Sequence, residues 1–486
     1  MLRSGGGPEL LQLVKANIVR FTRGRGLDIG VGPFKAFPHF VGVREEGDKT
    51  LNPGEAADFS CKSFEEGLAQ FDDASLDFVF AWGDVTIGDE WVQRILKNDG
   101  VYIQAKWSHV EFPEEEQPKV MVQFRRLHGG QWHDIDLSRR KGKTVCVCRY
   151  GAMGDMLQLS SVLPQLKREG YHVTVMCHPD GAAILSEDPC VDEFWIQDRD
   201  QVPNQELLSY WDVISKQFDR FINLNATCEG PLLAVPGREN HRWPDAVRRK
   251  YMDVNYLEFM AEVAELPFHP EHFFYPTKGE EALAELKINA FEDVLNKDFV
   301  LGKKFIEPFV ILWALSGSGV HKFYPHQDAV VARIMLEIPN ACIVFAGDHA
   351  CKILEQGWEN EKRIQCLSGE LTVRETLALA QKCQLVIGPE TGVLNGMAHE
   401  NMAKIVFLSH STANNLTRDW VNTEALHSTT TKCYPCHRLH HNREFCPEDP
   451  ETGAAQCQAD LPPSTVWDAV QRAYVGHGVV KRLMTA

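Results

Sequence analysis

Three short stretches carry side chains able to handle a proton and an anion. In RYGAMGDMLQ, residues 149–158, an apolar run ending at Cys148 is cut by Gly151 and Gly154. Asp155 stands where a helical pattern then begins, and a second apolar run, YHVTVMC, follows the helix. The unit reads strand, tight loop, helix, strand. Open α/β sheets bind ligands outside the carboxyl ends of their strands, and a carboxylate there can accept a proton. The competing account is an acid that merely favours a helix start. In LSGSGVHKFYP, Leu315 to Pro325, a strand ends in Ser316, Gly317, Ser318 and Gly319, with Lys322 close behind. Small residues let backbone N–H groups approach an anion, and the lysine adds a point charge. The spacing is not that of a Walker loop, which leaves an ATPase unsupported. In LVIGPETGVLNGMAHE, a buried-type strand runs into Glu390, Thr391, Gly392 and Val393 before a helix starts. The N–H groups of Thr391, Gly392 and Val393 lack intrahelical partners and can cradle a diphosphate. Alternatively, Thr391 simply caps the helix and Glu390 is a solvated loop acid.

Elements that would position these residues can be read along the chain, and they fall into three blocks. Residues 1–140 give strands at GRGLDIGVG, HFVGV, LDFVFAW and VYIQAKW, with a helix over GDEWVQRILKNDG closed by Gly100. A polar linker is expected near residues 137–143. Residues 143–295 hold the Asp155 unit, two further strands at VDEFWIQ and FDRFINLN, and one helix over AVRRKYMDVNYLEFMAEVAEL with Tyr251, Val254, Leu257 and Met260 facing inward. EEALAELKINAFEDVLNKDFV reads as a bridging helix. Residues 300–486 alternate strand and helix (FVILWAL, QDAVVARIMLEI, ACIVFAG, TVRETLALAQKC, LVIG, KIVFLS) and end in a long helix. The class is therefore α/β, with parallel sheets covered by helices. Two successive nucleotide-binding-type domains would place a cleft between their carboxyl-end edges.

Bulk properties narrow the function. A chain of 486 residues with a formal net charge of −17 is too long for one ordinary domain and too acidic for sequence-independent DNA binding. No apolar run reaches the roughly 18 residues a bilayer span needs, and the start lacks a secretion signal. A cytoplasmic protein is expected. One basic stretch, GRENHRWPDAVRRKY, carries Arg242, Arg248 and Arg249; it is either a solvated helix face or an acceptor site for an anionic substrate. Most cysteines sit inside apolar runs as small core residues. Four near the end differ: Cys433, Cys436, Cys446 and Cys457, with His437, His440 and His441 among them. That set fits a structural zinc; reduced thiols packing a loop, or a disulfide pair, are the other readings.

The ordered pieces together resemble glycosyltransferase family 9, the ADP-heptose:lipopolysaccharide heptosyltransferases and relatives, over about residues 143–470. RYGAMGDMLQLSSVLPQLK is similar to that family's R-x-x-x-x-GD loop and helix, SGVHKFYP to its K-x-W-P segment, VFAGDHA to its Val-Phe/Leu-x-Gly-Gly strand, and LALAQKCQLVIGPETGVLNGMA to its DTG-x-x-H element. The resemblance implies a GT-B arrangement of two Rossmann-like domains. It also implies inverting, metal-independent sugar transfer from a nucleotide-diphosphate sugar to a glycan or other hydroxyl acceptor. Carried over, Asp155 is the general base, with Gly154 and the arginines on the acceptor side. Lys322, Ser316, Ser318, Thr391, Gly392 and Val393 hold the donor phosphates. Glu390 stands where the family has Asp, and Asn395 where it has His; both belong to the donor site, and ADP-heptose itself is not assigned. A nucleic-acid acceptor is disfavoured by the net charge.

GLDIGVGPF and RILKNDGVYIQAKW make the first block resemble class I methyltransferases, with Asp28, Gly30 and Gly32 in the S-adenosylmethionine loop. Arg44 stands where that family's second strand ends in a ribose-binding acid, so a degenerate domain that keeps the fold without the cofactor is expected. The remaining alternatives are a bifunctional methyltransferase/glycosyltransferase and a non-catalytic sugar-nucleotide-binding module.

Overall fold

A computed structural model describes residue 14 and residues 18–29, 40–45, 58–82, 85, 87–107, 120–135, 142–199, 201–225, 244–297, 305–317, 322–437 and 446–485. It is mixed α/β with three sheets. The first contains β1 (Gly26–Ile29), β2 (Val41–Glu45), β3 (Phe59–Cys61), β4 (Leu76–Trp82), β5 (Leu96–Trp107), β6 (Val120–His128) and β7 (Gln131–Asp134), in the order β3-β2-β1-β4-β5-β6-β7. Strands β1 to β5 run parallel, while β6 and β7 pair antiparallel at the far edge. The helix Asp89–Ile95 ends earlier than expected. Gly100 lies within β5, where the pairing with β4 shifts register between Leu76 and Phe78.

The second sheet holds β8 (Lys143–Cys148), β9 (Tyr171–Cys177), β10 (Glu193–Ile196) and β11 (Arg220–Asn223), in the order β10-β9-β8-β11. The third holds β12 (Phe309–Ala314), β13 (Ala341–Ala346), β14 (Ile364–Cys366), β15 (Leu385–Pro389), β16 (Ala403–Phe407) and β17 (Thr423–Leu426), in the order β14-β13-β12-β15-β16-β17, all parallel. The strand order reverses between β12 and β15, the switch point at which open parallel sheets form a ligand crevice.

The backbone divides into two compact units that interleave in sequence. One comprises Met1–Cys148, Gly170–Pro179 and Glu193–Phe221; the other comprises Arg149–Glu169, Asp180–Asp192 and Ile222–Ala486. Within the first unit, Arg20 pairs with Glu193 at 3.0 Å and lies 4.5 Å from the Trp195 ring, and Gln201 donates to the Val19 carbonyl at 2.7 Å. The segment before β1 is thereby fastened to the chain around β10.

Within the second unit, every residue of β12, β13 and β15 is buried. This is why their sequences are almost unbroken apolar runs: both faces of a parallel sheet are covered by helices. Trp313 stands in register with Phe345 and Ile387. The last helix, Pro463–Thr485, adds Val466, Trp467 and Val470 to the same core. Each such fully buried side chain contributes about 2 kcal/mol. The single helix expected over residues 246–266 is two, Asp245–Met252 and Tyr256–Val263. Asn255 breaks it, because its Oδ1 accepts from the N–H groups of Leu257 and Glu258 and starts a new helix. Leu257 and Met260 are buried as expected.

Candidate functional site

The second unit contains a cavity of about 600 Å³ at the carboxyl ends of β12, β13 and β15. Asp155, Lys322 and Thr391 all line it, although they come from three separate sequence stretches. Gly154, Ser316, Gly392, Val393, Glu390 and Asn395 also line it.

Asp155 occupies the third position of the helix Met153–Leu159, and its Oδ2 accepts from the Ala152 N–H at 2.8 Å. Its Oδ1 pairs with Nη2 of Arg149, a guanidinium with no exposed side-chain surface. Arg149 also donates to the Leu224 carbonyl. The carboxylate is therefore held at both oxygens while keeping lone pairs for a further donor, and 19% of its side-chain surface remains exposed. Gly151 makes this possible: a Cβ there would lie 2.3 Å from the Asp155 Cβ.

The other side of the cavity is built around Thr391. This residue caps the short helix Gly392–Gly396, whose first N–H groups have no intrahelical acceptor. Its hydroxyl is buried and has no hydrogen-bond partner among the described residues. Lys322 is buried and donates from Nζ to the Glu390 carbonyl at 2.7 Å, which places its charge beside the helix start. Gly392 is also a close approach: a Cβ there would meet the Met153 side chain at 2.7 Å. The helix carrying Asp155 and the helix that starts after Thr391 are packed together through this contact.

Two residues expected at the donor site line the cavity and are also tied into the protein. Glu390 turns inward. Its Oε1 accepts from the N–H groups of Ser409 at 2.6 Å and of His410 and Ser411 at 3.3 Å, and its Oε2 pairs with His410 Nδ1. Burial alone would raise the Glu390 carboxyl, but the charge and hydrogen bond of His410, the charge of Lys322 and the Ser409 N–H outweigh it and hold the carboxyl at about 2. It is not a solvated loop acid. Asn395 stitches the site together: its Nδ2 donates to the Thr391 carbonyl at 3.0 Å, and its Oδ1 accepts from Gln158 at 3.0 Å. Behind it, His272 Nε2 donates to the Asn395 carbonyl at 2.9 Å. Burial, with the neighbouring His399, lowers His272 to about 3, so the ring is neutral.

Arg149, Gln158 and His410 were missed by sequence reasoning. Arg149 was visible as the first residue of the R-x-x-x-x-GD run. His410 carries only a positional signal, three residues past the carboxyl end of an apolar strand at Phe407.

Other expectations fare differently. Ser318, Arg242, Gly30 and Gly32 lie outside the described residues, as do His440, His441 and the side chain of Arg248. Asp28 is fully buried on β1. Arg249 does not line the cavity; its Nη2 donates to the Cys433 carbonyl at 3.3 Å. Among the described residues no group of three or more His, Cys, Asp or Glu side chains could hold a metal ion, so the geometry does not carry zinc at Cys433, Cys436, Cys446 and Cys457. The Cys457 thiol is nevertheless pushed up by burial and by the nearby Cys446, Cys436 and Cys433. No helix among the described residues is long and apolar enough to cross a membrane.

No protein-family model matches the chain, and neither does any curated protein. Among solved structures, the chain is similar to the ADP-heptose lipopolysaccharide heptosyltransferase II of E. coli, with 15% identity over 69% of this chain and 99% of that chain and a TM-score of 0.44. It is similar to a family 9 glycosyl transferase from Veillonella parvula DSM 2008, with 12% identity over 69% of this chain and 98% of that chain and a TM-score of 0.48. It is also similar to TibC, an iron-containing dodecameric glycosyltransferase of enterotoxigenic E. coli H10407, with 12% identity over 74% of this chain and 84% of that chain and a TM-score of 0.44. The resemblance of the first block to methyltransferases rests on its sequence alone.

Proposed function

We propose that the protein is an inverting, metal-independent glycosyltransferase of GT-B type acting in the cytoplasm. It would move a sugar from a nucleotide-diphosphate donor of the ADP-heptose kind to an acceptor hydroxyl. One observation carries the reading: a fixed carboxylate, a buried lysine and an open helix start converge in one cavity at a parallel-sheet switch point.

The chemistry follows from that arrangement. Asp155 accepts the acceptor O–H proton as the oxygen attacks the anomeric carbon from the face opposite the leaving group. The bond from that carbon to the phosphate oxygen breaks, and its electron pair goes to the diphosphate. Lys322, the Thr391 hydroxyl and the amides of Gly392 and Val393 take up the developing negative charge. Arg149 and the Ala152 N–H keep the carboxylate aimed while it acts.

The test is Asp155→Asn, assayed for donor hydrolysis and transfer against a panel of nucleotide sugars. Loss of a general base costs about 10²- to 10⁴-fold in turnover, while nucleoside-diphosphate affinity measured by calorimetry should hold. Equal turnover in the two proteins would refute the base assignment. Tight donor binding without turnover in the wild type would make the protein a sugar-nucleotide-binding module instead.

A further inference from the structure

We infer that the amide oxygen of Gln158 accepts a hydrogen bond from a hydroxyl of the transferred sugar; the inference rests on reading the cavity as a nucleotide-sugar site. Gln158 lines the cavity, yet the residue is only 5% exposed. It stands three positions after Asp155 in the helix Met153–Leu159, on the same helix face. Its amide is oriented from outside that helix, through groups that each have one choice. The Thr391 carbonyl can only accept, and it receives both the N–H and the Nδ2 of Asn395, each at 3.0 Å. The other end of the Asn395 amide is then an oxygen, which also can only accept. Gln158 therefore has to turn its Nε2 towards that oxygen, and it donates there at 3.0 Å. The polarity imposed at Thr391 passes through two amides in this way. It leaves Gln158 Oε1 unspent, an acceptor with no donor among the described residues.

The place of that oxygen selects the ligand. Gln158 shares a helix with Asp155 and is bonded to the helix that starts after Thr391, so it bridges the proposed base and the proposed diphosphate cradle. The transferred sugar has to span the same interval, because its anomeric carbon is attacked on one side and loses the diphosphate on the other. The two helices approach closely here: a Cβ on Gly154 would lie 3.1 Å from Asn395 Nδ2. Any ligand that fills the cavity displaces water from Oε1 and must supply a donor in its place. A sugar hydroxyl does so; an analogue that cannot donate leaves the oxygen unmet, which is the kind of loss on which binding sites discriminate strongly.

The experiment measures binding to the full chain by calorimetry, for wild type and Gln158→Met, which keeps the length of the side chain and has no amide. The probes are ADP-glucose, UDP-glucose and GDP-mannose with their matching nucleoside diphosphates. For the nucleotide sugar that binds most tightly, analogues with a single sugar hydroxyl replaced by fluorine are added; fluorine cannot donate. One analogue should bind wild type about tenfold more weakly than its parent, the worth of one hydrogen bond to a buried acceptor. That analogue and its parent should bind Gln158→Met equally, because the two losses are the same bond. Affinity for the matching nucleoside diphosphate should be nearly the same in both proteins. An equal loss for the nucleotide sugar and its nucleoside diphosphate would mean that Gln158 only holds Asn395 and Thr391 in place, and overturns the inference. Analogue losses that are identical in the two proteins overturn it as well. No binding of any probe to wild type would instead defeat the nucleotide-sugar reading itself. Should Gln158→Met fail to fold, Gln158→Asn, which keeps an amide on a shorter side chain, takes its place under the same criteria.

Discussion

Replacing Glu390 by glutamine isolates the buried carboxylate in the wall of the cavity beside Lys322 and Thr391. The side chain keeps its shape but loses its charge, and its amide nitrogen now meets backbone donors at Ser409, His410 and Ser411. The folded-state carboxyl is held at about 2, below the ordinary 4.5. Because the folded value is the lower one, the contribution is fully present above 4.5 and is lost as pH falls towards 2. A drop of that size corresponds to roughly 3 kcal/mol, in line with the cost of removing one partner from a buried pair. Thermal unfolding at pH 7 should therefore place Glu390→Gln several degrees below wild type. By about pH 3 the gap should have shrunk by about half, since the wild type is then losing the same contribution. Hydrogen exchange read by mass spectrometry should show faster exchange at residues 409–411 in the variant. A gap that is the same at both pH values would refute the electrostatic argument. Unchanged protection of those three amides would refute the structural one.

Two further perturbations address other parts of the site. Gly151→Ala puts a methyl group 2.3 Å from the Asp155 Cβ; on the proposed reading of Asp155 as the base, transfer should fall about 10²-fold through its misplacement, with nucleoside-diphosphate binding by calorimetry retained. His272 is buried and neutral, lowered from 6.5 to about 3. Its contribution to stability is therefore present above about 6.5 and is lost as pH falls below it, because the unfolded chain takes up the proton first. In His272→Asn the fall in Tm between about pH 6.5 and pH 4 should be shallower than in wild type, and an equally steep fall would count against it.

The parts of the site that were legible share one property: each sits just past an apolar run that can only be a buried strand. Asp155, Lys322 and Thr391 follow β8, β12 and β15, and the alternation of strand and helix already implied that each follows the carboxyl end of a strand in a parallel sheet. What escaped was non-local. Glu390 looked like a loop acid because its partners lie about twenty residues further on, at Ser409 to Ser411. Asn395 could be recognised as a departure from a familiar pattern, but nothing in its neighbours announced Gln158. Short edge strands were missed for a different reason. The sequences IQC at β14 and TEAL at β17 are too brief and too polar to register as runs, and they form because a neighbour in the sheet supplies the backbone partners. The break at Asn255 was hidden because a capping asparagine inside an amphipathic pattern leaves the periodicity intact.

The cysteine-bearing tail gains a role from these contacts whether or not it holds an ion. The loop after β16 is anchored on its cavity side by Glu390, through Ser409, His410 and Ser411. On its other side the tail supplies the bonds. The His437 N–H reaches the His410 carbonyl, Cys457 Sγ donates to the Ser409 carbonyl at 3.8 Å, and Gln458 Nε2 donates to the Leu408 carbonyl at 3.4 Å. Three consecutive carbonyls of one loop are thus satisfied by the tail, and the N–H groups of Ser409, His410 and Ser411 by one carboxylate. A buried loop needs such partners, because each unmet group would cost about 1–3 kcal/mol. The tail and Glu390 therefore act on the same short segment from opposite sides, and the position of His410 depends on both.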